Sequence, residues 1–270
     1  MTSKFFGTDD YSPLWPLKFY TLSFLNSFRK PFISPLQDSK AFFVVGCGHS
    51  GTSLLASRLG NHEAILFIGR ESRIFMPEQN PKIGKVIFQE WAFLAKQLGK
   101  QYILEKTPKH IHSFDYIKKL IPHAKFLLMT RNPFDNCASL YKRYPKLNNC
   151  ISRWQTDNYA VQKLLSTPDC LQVKYENLTS APIQSFKSIA SFLEIPFEEN
   201  IVNAQKTAYE KVKLNENMEL RKKQVQEKIS PKIGKFRTVF SDEQIAKVNK
   251  DTSEIAKAIG YDNTTFLNEF

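Results

Sequence analysis

The sequence predicts an α/β fold of the P-loop-like type, a single domain in which a parallel β-sheet is flanked by helices. Three observations lead there. Short, continuously apolar, β-rich runs alternate with helical segments; a glycine-rich loop follows the first run; and the residues with chemical potential fall directly after the runs. Continuous apolar strands belong to parallel sheets covered on both faces, and such sheets bind ligands beyond the carboxyl ends of their strands. A chain of 270 residues, 42% hydrophobic and 13% aromatic, is large enough to fill a substantial core. Residues 1–40 read as an N-terminal extension and residues 41–270 as the domain.

In the extension, Trp15, Phe19, Leu22, Leu25 and Phe28 recur at helical spacing before Pro31, with Lys18, Arg29 and Lys30 alongside. That pattern predicts a short amphipathic helix docked on the core. Strands are expected at 41–45, 64–68, 102–104, 125–130 and 171–175, and helices over 53–59, near 110–120, from Pro133 and after residue 175. No apolar run approaches the roughly 18 residues that span a bilayer, and the pattern of a signal peptide is missing. The four cysteines, Cys47, Cys137, Cys150 and Cys170, have no C-x-x-C spacing and are too few for a disulfide scaffold. A soluble chain with no transmembrane segment, in the reducing cytoplasm, is the expectation. Lysine and arginine number 38 against 26 acidic residues, a net charge of +12 that favours anionic partners without choosing among nucleotides, sulfated substrates, nucleic acid and headgroups.

Residues 44–55 read VVGCGHSGTSLL. Gly46, Gly51 and Ser53 fit the triphosphate loop G-x-x-x-x-G-K-[ST], except that Thr52 stands where the lysine belongs. Backbone N–H groups of Gly48, His49, Ser50, Gly51, Thr52 and Ser53, with the helix dipole behind them, suit an anion. Without the lysine that reaches β- and γ-phosphates, a triphosphate is disfavoured. A second cluster follows the strand at 125–130. There Asn132 is a good N-cap and Pro133 suits the first helical position, and Ser139 and Arg143, four residues apart, would share a helical face with Arg131 at the strand end. Two arginines and a hydroxyl directed to one place suit a phosphate dianion, although Arg131 beside Asp135 could equally be a surface ion pair.

Together these elements resemble the sulfotransferases that use 3′-phosphoadenosine-5′-phosphosulfate (PAPS), in which the loop grips the 5′-phosphosulfate and the R-x(7)-S element the 3′-phosphate. The similarity is greatest to the protein-tyrosine sulfotransferase branch and runs with gaps from about residue 43 to 261. Residues 69–73, GRESR, resemble that branch's G-E-E-T-R; 105–108, EKTP, its N-K-D-P; 125–131, KFLLMTR, its K-F-L-L-M-V-R; 173–178, VKYENL, its V-H-Y-E-Q-L; and 258–262, AIGYD, its K-L-G-Y-D. The resemblance implies Glu71 as the base that takes the proton of an acceptor hydroxyl, Lys106 as the cation that stabilises the transferring sulfonate, and Tyr175 as a nucleotide contact. It further implies a basic loop, here Lys235, Phe236 and Arg237, on the 3′-phosphate side, and Arg73 as a residue that either orients the acceptor or lowers the pKa of Glu71. PAPS is the expected cofactor, with PAP as product, no metal and no nucleic-acid partner. The acceptor is a peptide tyrosine or a carbohydrate hydroxyl, and a homodimer is among the open assemblies.

Two departures matter. His49 stands where the family keeps lysine or arginine, so a permanent cation is replaced by a titrating one. A serine with a transition-state role in the branch has no assigned counterpart within residues 214–227. The alternatives are a P-loop kinase, against which Thr52 counts, and a non-catalytic anion-binding module supported by charge alone.

Overall fold

The computed structural model describes residues 36–203 and 229–270, together with Thr21, Phe24 and Leu25. The amphipathic helix expected over residues 15–28 and the segment 214–227 fall almost wholly outside the described residues. Five strands, β1 (Ala41–Gly46), β2 (Ile65–Phe67), β3 (Tyr102–Lys106), β4 (Lys125–Thr130) and β5 (Cys170–Lys174), form one parallel sheet in the order β2-β3-β1-β4-β5. The predicted fold class is therefore the observed one. Every residue of β1 and β3 is buried, which is why the apolar runs in the sequence are unbroken. Register follows from pairing β1 with β3, Ala41 opposite Ile103 and Val44 opposite Lys106, and β2 with β3, Ile65 opposite Tyr102.

The chain divides into two compact units. Among the described residues the first comprises those up to Val44, Ser53–Phe126 and 198–203. Its core is aromatic: Phe43 stacks on Phe126 at 5.2 Å and meets Phe75 edge-on at 5.9 Å, and Phe88 packs on Trp91 at 6.0 Å. Helices α1 (Thr52–Leu59), α2 (Pro81–Gln97) and α3 (Phe114–Leu120) flank it, the last preceded by a 3-10 turn, Pro108–Ser113. Helix α2 starts with Asn80, whose side chain accepts from the Lys82 N–H, and with Pro81 in its first turn.

The second unit comprises Val45–Thr52, Leu127–Phe197 and Ile229–Phe270. Its helices are α4 (Pro133–Tyr141), α5 (Leu147–Leu164), α6 (Tyr175–Ser180), α7 (Pro182–Leu193), α9 (Asp242–Ala258) and α10 (Asn263–Glu269), while the short α8 (Asn200–Asn203) belongs to the first unit. Phe134, Phe236 and Phe266 pack together at 5.1–5.9 Å and tie α4, the 3-10 turn Lys235–Thr238 and α10 into one cluster. Ser241 and Gln244 form a reciprocal capping box at the start of α9. No helix among the described residues is long and apolar enough to cross a membrane.

Candidate active site

The glycine loop has a shape that its side chains could not otherwise adopt. Gly46 has φ +127°, and a Cβ there would lie 2.3 Å from the Met129 carbonyl oxygen; Gly51 has φ +102°, and a Cβ would meet the Tyr175 ring at 2.7 Å. His49, at φ +68°, takes the left-handed conformation without being glycine. The buried Ser50 hydroxyl lies 2.6 Å from the Cys47 carbonyl and 3.2 Å from that of Met129, so it holds the loop to its own strand neighbour and faces inward. Thr52 is buried in the first turn of α1, whereas Ser53 beside it is partly exposed.

Around this loop the structure gathers several residues singled out from the sequence. His49 Nδ1 is 3.0 Å from Ser139 Oγ on α4. Arg131 donates to the His49 carbonyl at 3.4 Å and to the Lys232 carbonyl at 2.6 Å, and its guanidinium lies 4.2 Å from the centre of the Tyr175 ring. Tyr175 is thus buried between Gly51 and Arg131. Asn132 caps α4 as expected, accepting from the Asp135 N–H at 2.8 Å. Arg143 is placed differently from the helical-face expectation. Helix α4 ends at Tyr141, and Arg143 sits in the following turn, exposed, with its guanidinium 5.6 Å over Tyr144. Lys235 is exposed, and Arg237 donates to the carbonyls of Leu267, at 2.8 Å, and Phe270. Phe236, between them, is fully buried against Phe134.

Three residues here have roles that the sequence reading did not assign. Asp135 accepts from the backbone N–H groups of Gly234 at 2.9 Å and Phe236 at 3.1 Å, while standing 4.0 Å from Arg131; its main work is to anchor the basic loop. Arg153 on α5 presses against the loop, its terminal nitrogen 2.5 Å from where a Gly48 Cβ would stand, and it pairs with Asp157 at 3.7 Å. Glu176 accepts from the Asn132 backbone at 3.0 Å, from its side chain at 2.7 Å, and from the Tyr261 hydroxyl at 2.8 Å, so two of the recognisable motifs brace the strand end that carries Arg131. Burial, and next the Glu176 charge, push the Tyr261 phenol well above its ordinary pKa, which keeps it a donor. Burial and the neighbouring Asp157 carboxylate likewise raise the Cys47 thiol, so this loop cysteine is no nucleophile.

The loop geometry fits a phosphate-bearing ligand. Its two positive-φ glycines let the loop pack closely on Met129 and Tyr175, and buried Arg131 Nε and Asn136 Oδ1 have no hydrogen-bond partner among the described residues.

In the first unit, the Lys106 ammonium at the end of β3 donates to Glu71 Oε1 at 2.8 Å. The lysine is 1% exposed and the glutamate side chain 24%. Arg73 is exposed, with φ +55°, and its N–H donates to Thr107 Oγ1 at 3.2 Å. The Glu71–Lys106 ion pair joins two residues 35 positions apart.

Comparison with known proteins agrees with the motif order. A model described as the sulfotransferase family matches residues 79–199. Protein-tyrosine sulfotransferase 1 of Danio rerio is 26% identical over 201 residues, covering 62% of this chain and 56% of the relative, and protein-tyrosine sulfotransferase 2 of Gallus gallus is 27% identical over 199 residues, covering 60% and 53%. The chain is thus similar to sulfotransferases over that stretch. It spans about half the length of these curated relatives. Solved sulfotransferase structures share its fold: the sulfotransferase domain of the Synechococcus PCC 7002 olefin synthase has a TM-score of 0.62 at 21% identity, covering 83% of this chain and 95% of that one. Mouse sulfotransferase SULT7A1, solved in complex with PAP, has a TM-score of 0.54 at 15% identity, covering 87% and 92%.

Proposed function

We propose that the chain transfers a sulfonate group from PAPS to an acceptor hydroxyl by in-line displacement, with residues 41–270 as the catalytic domain. The observation that carries this reading is the cluster of His49, Arg131 and Ser139 around a glycine loop that has Thr52 in place of a lysine. When bound, the donor supplies an activated sulfonate on a bisphosphorylated nucleotide, which needs no cation bridging β- and γ-phosphates.

Each residue has a task that its surroundings support. Backbone N–H groups of residues 48–53 and the α1 N-terminus receive the 5′-phosphosulfate. Arg131, braced by Tyr175 and the Lys232 carbonyl, together with Ser139 and the Lys235–Arg237 turn, receives the 3′-phosphate. Arg153 supplies a permanent cation beside Gly48, offsetting the histidine at position 49. Glu71 takes the acceptor proton; only an ionised carboxylate can do so, and the ammonium at 2.8 Å favours that form. Lys106, nearly fully buried, donates toward the charge that develops on the sulfonate. The acceptor is a peptide tyrosine or a carbohydrate, with the names of the curated relatives favouring tyrosine.

The test is sulfonate transfer from labelled PAPS to a tyrosine-containing peptide or an oligosaccharide. Glu71→Ala is expected to lower kcat by about 10²- to 10⁴-fold while nucleotide affinity is unchanged. Full activity in that variant excludes Glu71 as the base.

A further inference from the structure

The Glu71–Lys106 pair rests beside a buried polar network that uses none of the residues discussed so far as catalytic. Glu105 is fully buried on β3, one residue before Lys106, so the two side chains leave opposite faces of the strand. Its Oε1 accepts from Ser72 Oγ at 2.8 Å, from the Ser72 N–H at 3.3 Å and from Thr107 Oγ1 at 2.6 Å. Its Oε2 is 3.0 Å from His110 Nδ1, in a ring that is likewise fully buried. These four donors fill the capacity of one carboxylate.

The hydrogen-bond directions then follow by elimination. His110 Nε2 accepts from the Phe75 N–H at 3.2 Å, so the ring is neutral there and its proton is on Nδ1, facing Glu105. Thr107 gives its only hydroxyl proton to Glu105 and so accepts from the Arg73 N–H. The backbone N–H groups of Ser72, Arg73 and Phe75 are all fixed, directly or through one intermediary, by a single carboxylate. That segment begins next to Glu71 and contains Arg73 in the left-handed region at φ +55°, a conformation that persists only where its surroundings enforce it. Burial raises the pKa of Glu105, and the hydrogen bonds from His110, Thr107 and Ser72 oppose it and bring it below the ordinary carboxylate value.

We infer that Glu105 and His110 are positioning residues, which hold residues 71–75 against the end of β3 so that the Glu71 carboxylate meets Lys106. This rests on the proposed role of Glu71 as base. The device differs from the branch's N-K-D-P: here the acid precedes the lysine, and Thr107 follows it.

Glu105→Gln in the full chain is the sharpest test. The amide can still accept from Ser72 and Thr107, but its NH₂ faces His110 Nδ1. The ring must then carry its proton on Nε2, donor to donor with the Phe75 N–H. The expected result is a fall in kcat of about 10- to 100-fold, with the KM for PAPS and the affinity for 3′,5′-adenosine bisphosphate unchanged. Ring-nitrogen NMR is expected to show His110 passing from the Nδ1-protonated to the Nε2-protonated tautomer, a signature independent of turnover. If Glu105→Gln does not fold, Thr107→Val, which removes one link to Arg73, is expected to shift kcat in the same direction by a smaller factor. Transfer lost in Glu71→Ala but undiminished in Glu105→Gln, or in Thr107→Val where it replaces it, overturns the inference alone. Transfer that survives Glu71→Ala overturns the base assignment, and this inference with it.

Discussion

Gly51 and Gly99 both have positive φ, yet only one of them is hemmed in. At Gly51 a Cβ would stand 2.7 Å from Tyr175 and 2.9 Å from Met129, whereas at Gly99 nothing lies within 4 Å. Gly99→Ala is therefore expected to cost about 1 kcal/mol of backbone strain, and Gly51→Ala clearly more, with loss of nucleotide affinity as Tyr175 is displaced from Arg131. Urea unfolding and nucleotide titration of the two variants check this together. Cysteine chemistry gives a second expectation. Cys47, Cys137 and Cys150 are buried and their thiols raised chiefly by burial, while Cys170 is partly exposed, so iodoacetamide at mildly alkaline pH should label Cys170 first. Labelling of Cys47 ahead of it, read by mass spectrometry, would contradict the packing of the loop. At this scale the sequence showed which residues could bind anions but not what holds them. Glu105 was in view inside residues 105–108, yet its partners Ser72 and His110 lie 33 and 5 positions away, and only the fold brings them to one carboxylate.

Elements carry a different kind of dependence. The 3-10 turn Lys235–Thr238 has no regular hydrogen-bond ladder behind it, and Asp135 on α4 acts as the acceptor for its entry, taking the N–H groups of Gly234 and Phe236. Asp135→Ala leaves both donors without that partner at a cost on the order of 2 kcal/mol. The expected outcome is faster amide exchange at Gly234 and Phe236, with little change at the N-terminus of α9, where Ser241 and Gln244 cap independently. The strands were legible because burial on both faces leaves continuous apolar runs, and β1, β3 and β4 begin within a residue of their expected starts. The long helices α2, α5, α7 and α9 were not anticipated individually. Asn80-Pro81 and the Ser241–Gln244 box were the local signals for two of them, but α5 starts from Lys146 with no side-chain cap and is set by packing. Arg143 was misplaced relative to α4 for a similar reason: the helix stops at Tyr141, ahead of Pro145, which disfavours helical geometry in the residue before it.

For the whole molecule, the buried network links acidity to stability. The Glu105 carboxyl has a folded pKa below its unfolded value of about 4.3, so its contribution is complete above that pH, where both states are ionised. It is lost as pH falls through the folded value, because the unfolded chain binds the proton more readily. The stability difference between wild type and Glu105→Gln, from urea titrations, is expected to be constant above about pH 5 and to shrink on further acidification; a difference independent of pH would show that the Glu105 carboxyl binds its proton equally well in the folded and unfolded chain. The charge of +12 is a bias toward anions, but which anion depends on residues drawn from several elements. The central claim is that they select a 3′,5′-bisphosphorylated nucleotide, and calorimetric titration tests it most directly. Micromolar binding of 3′,5′-adenosine bisphosphate, lost in Arg131→Ala and absent for ATP with Mg²⁺, is the expected result; preference for ATP with Mg²⁺ would contradict the account.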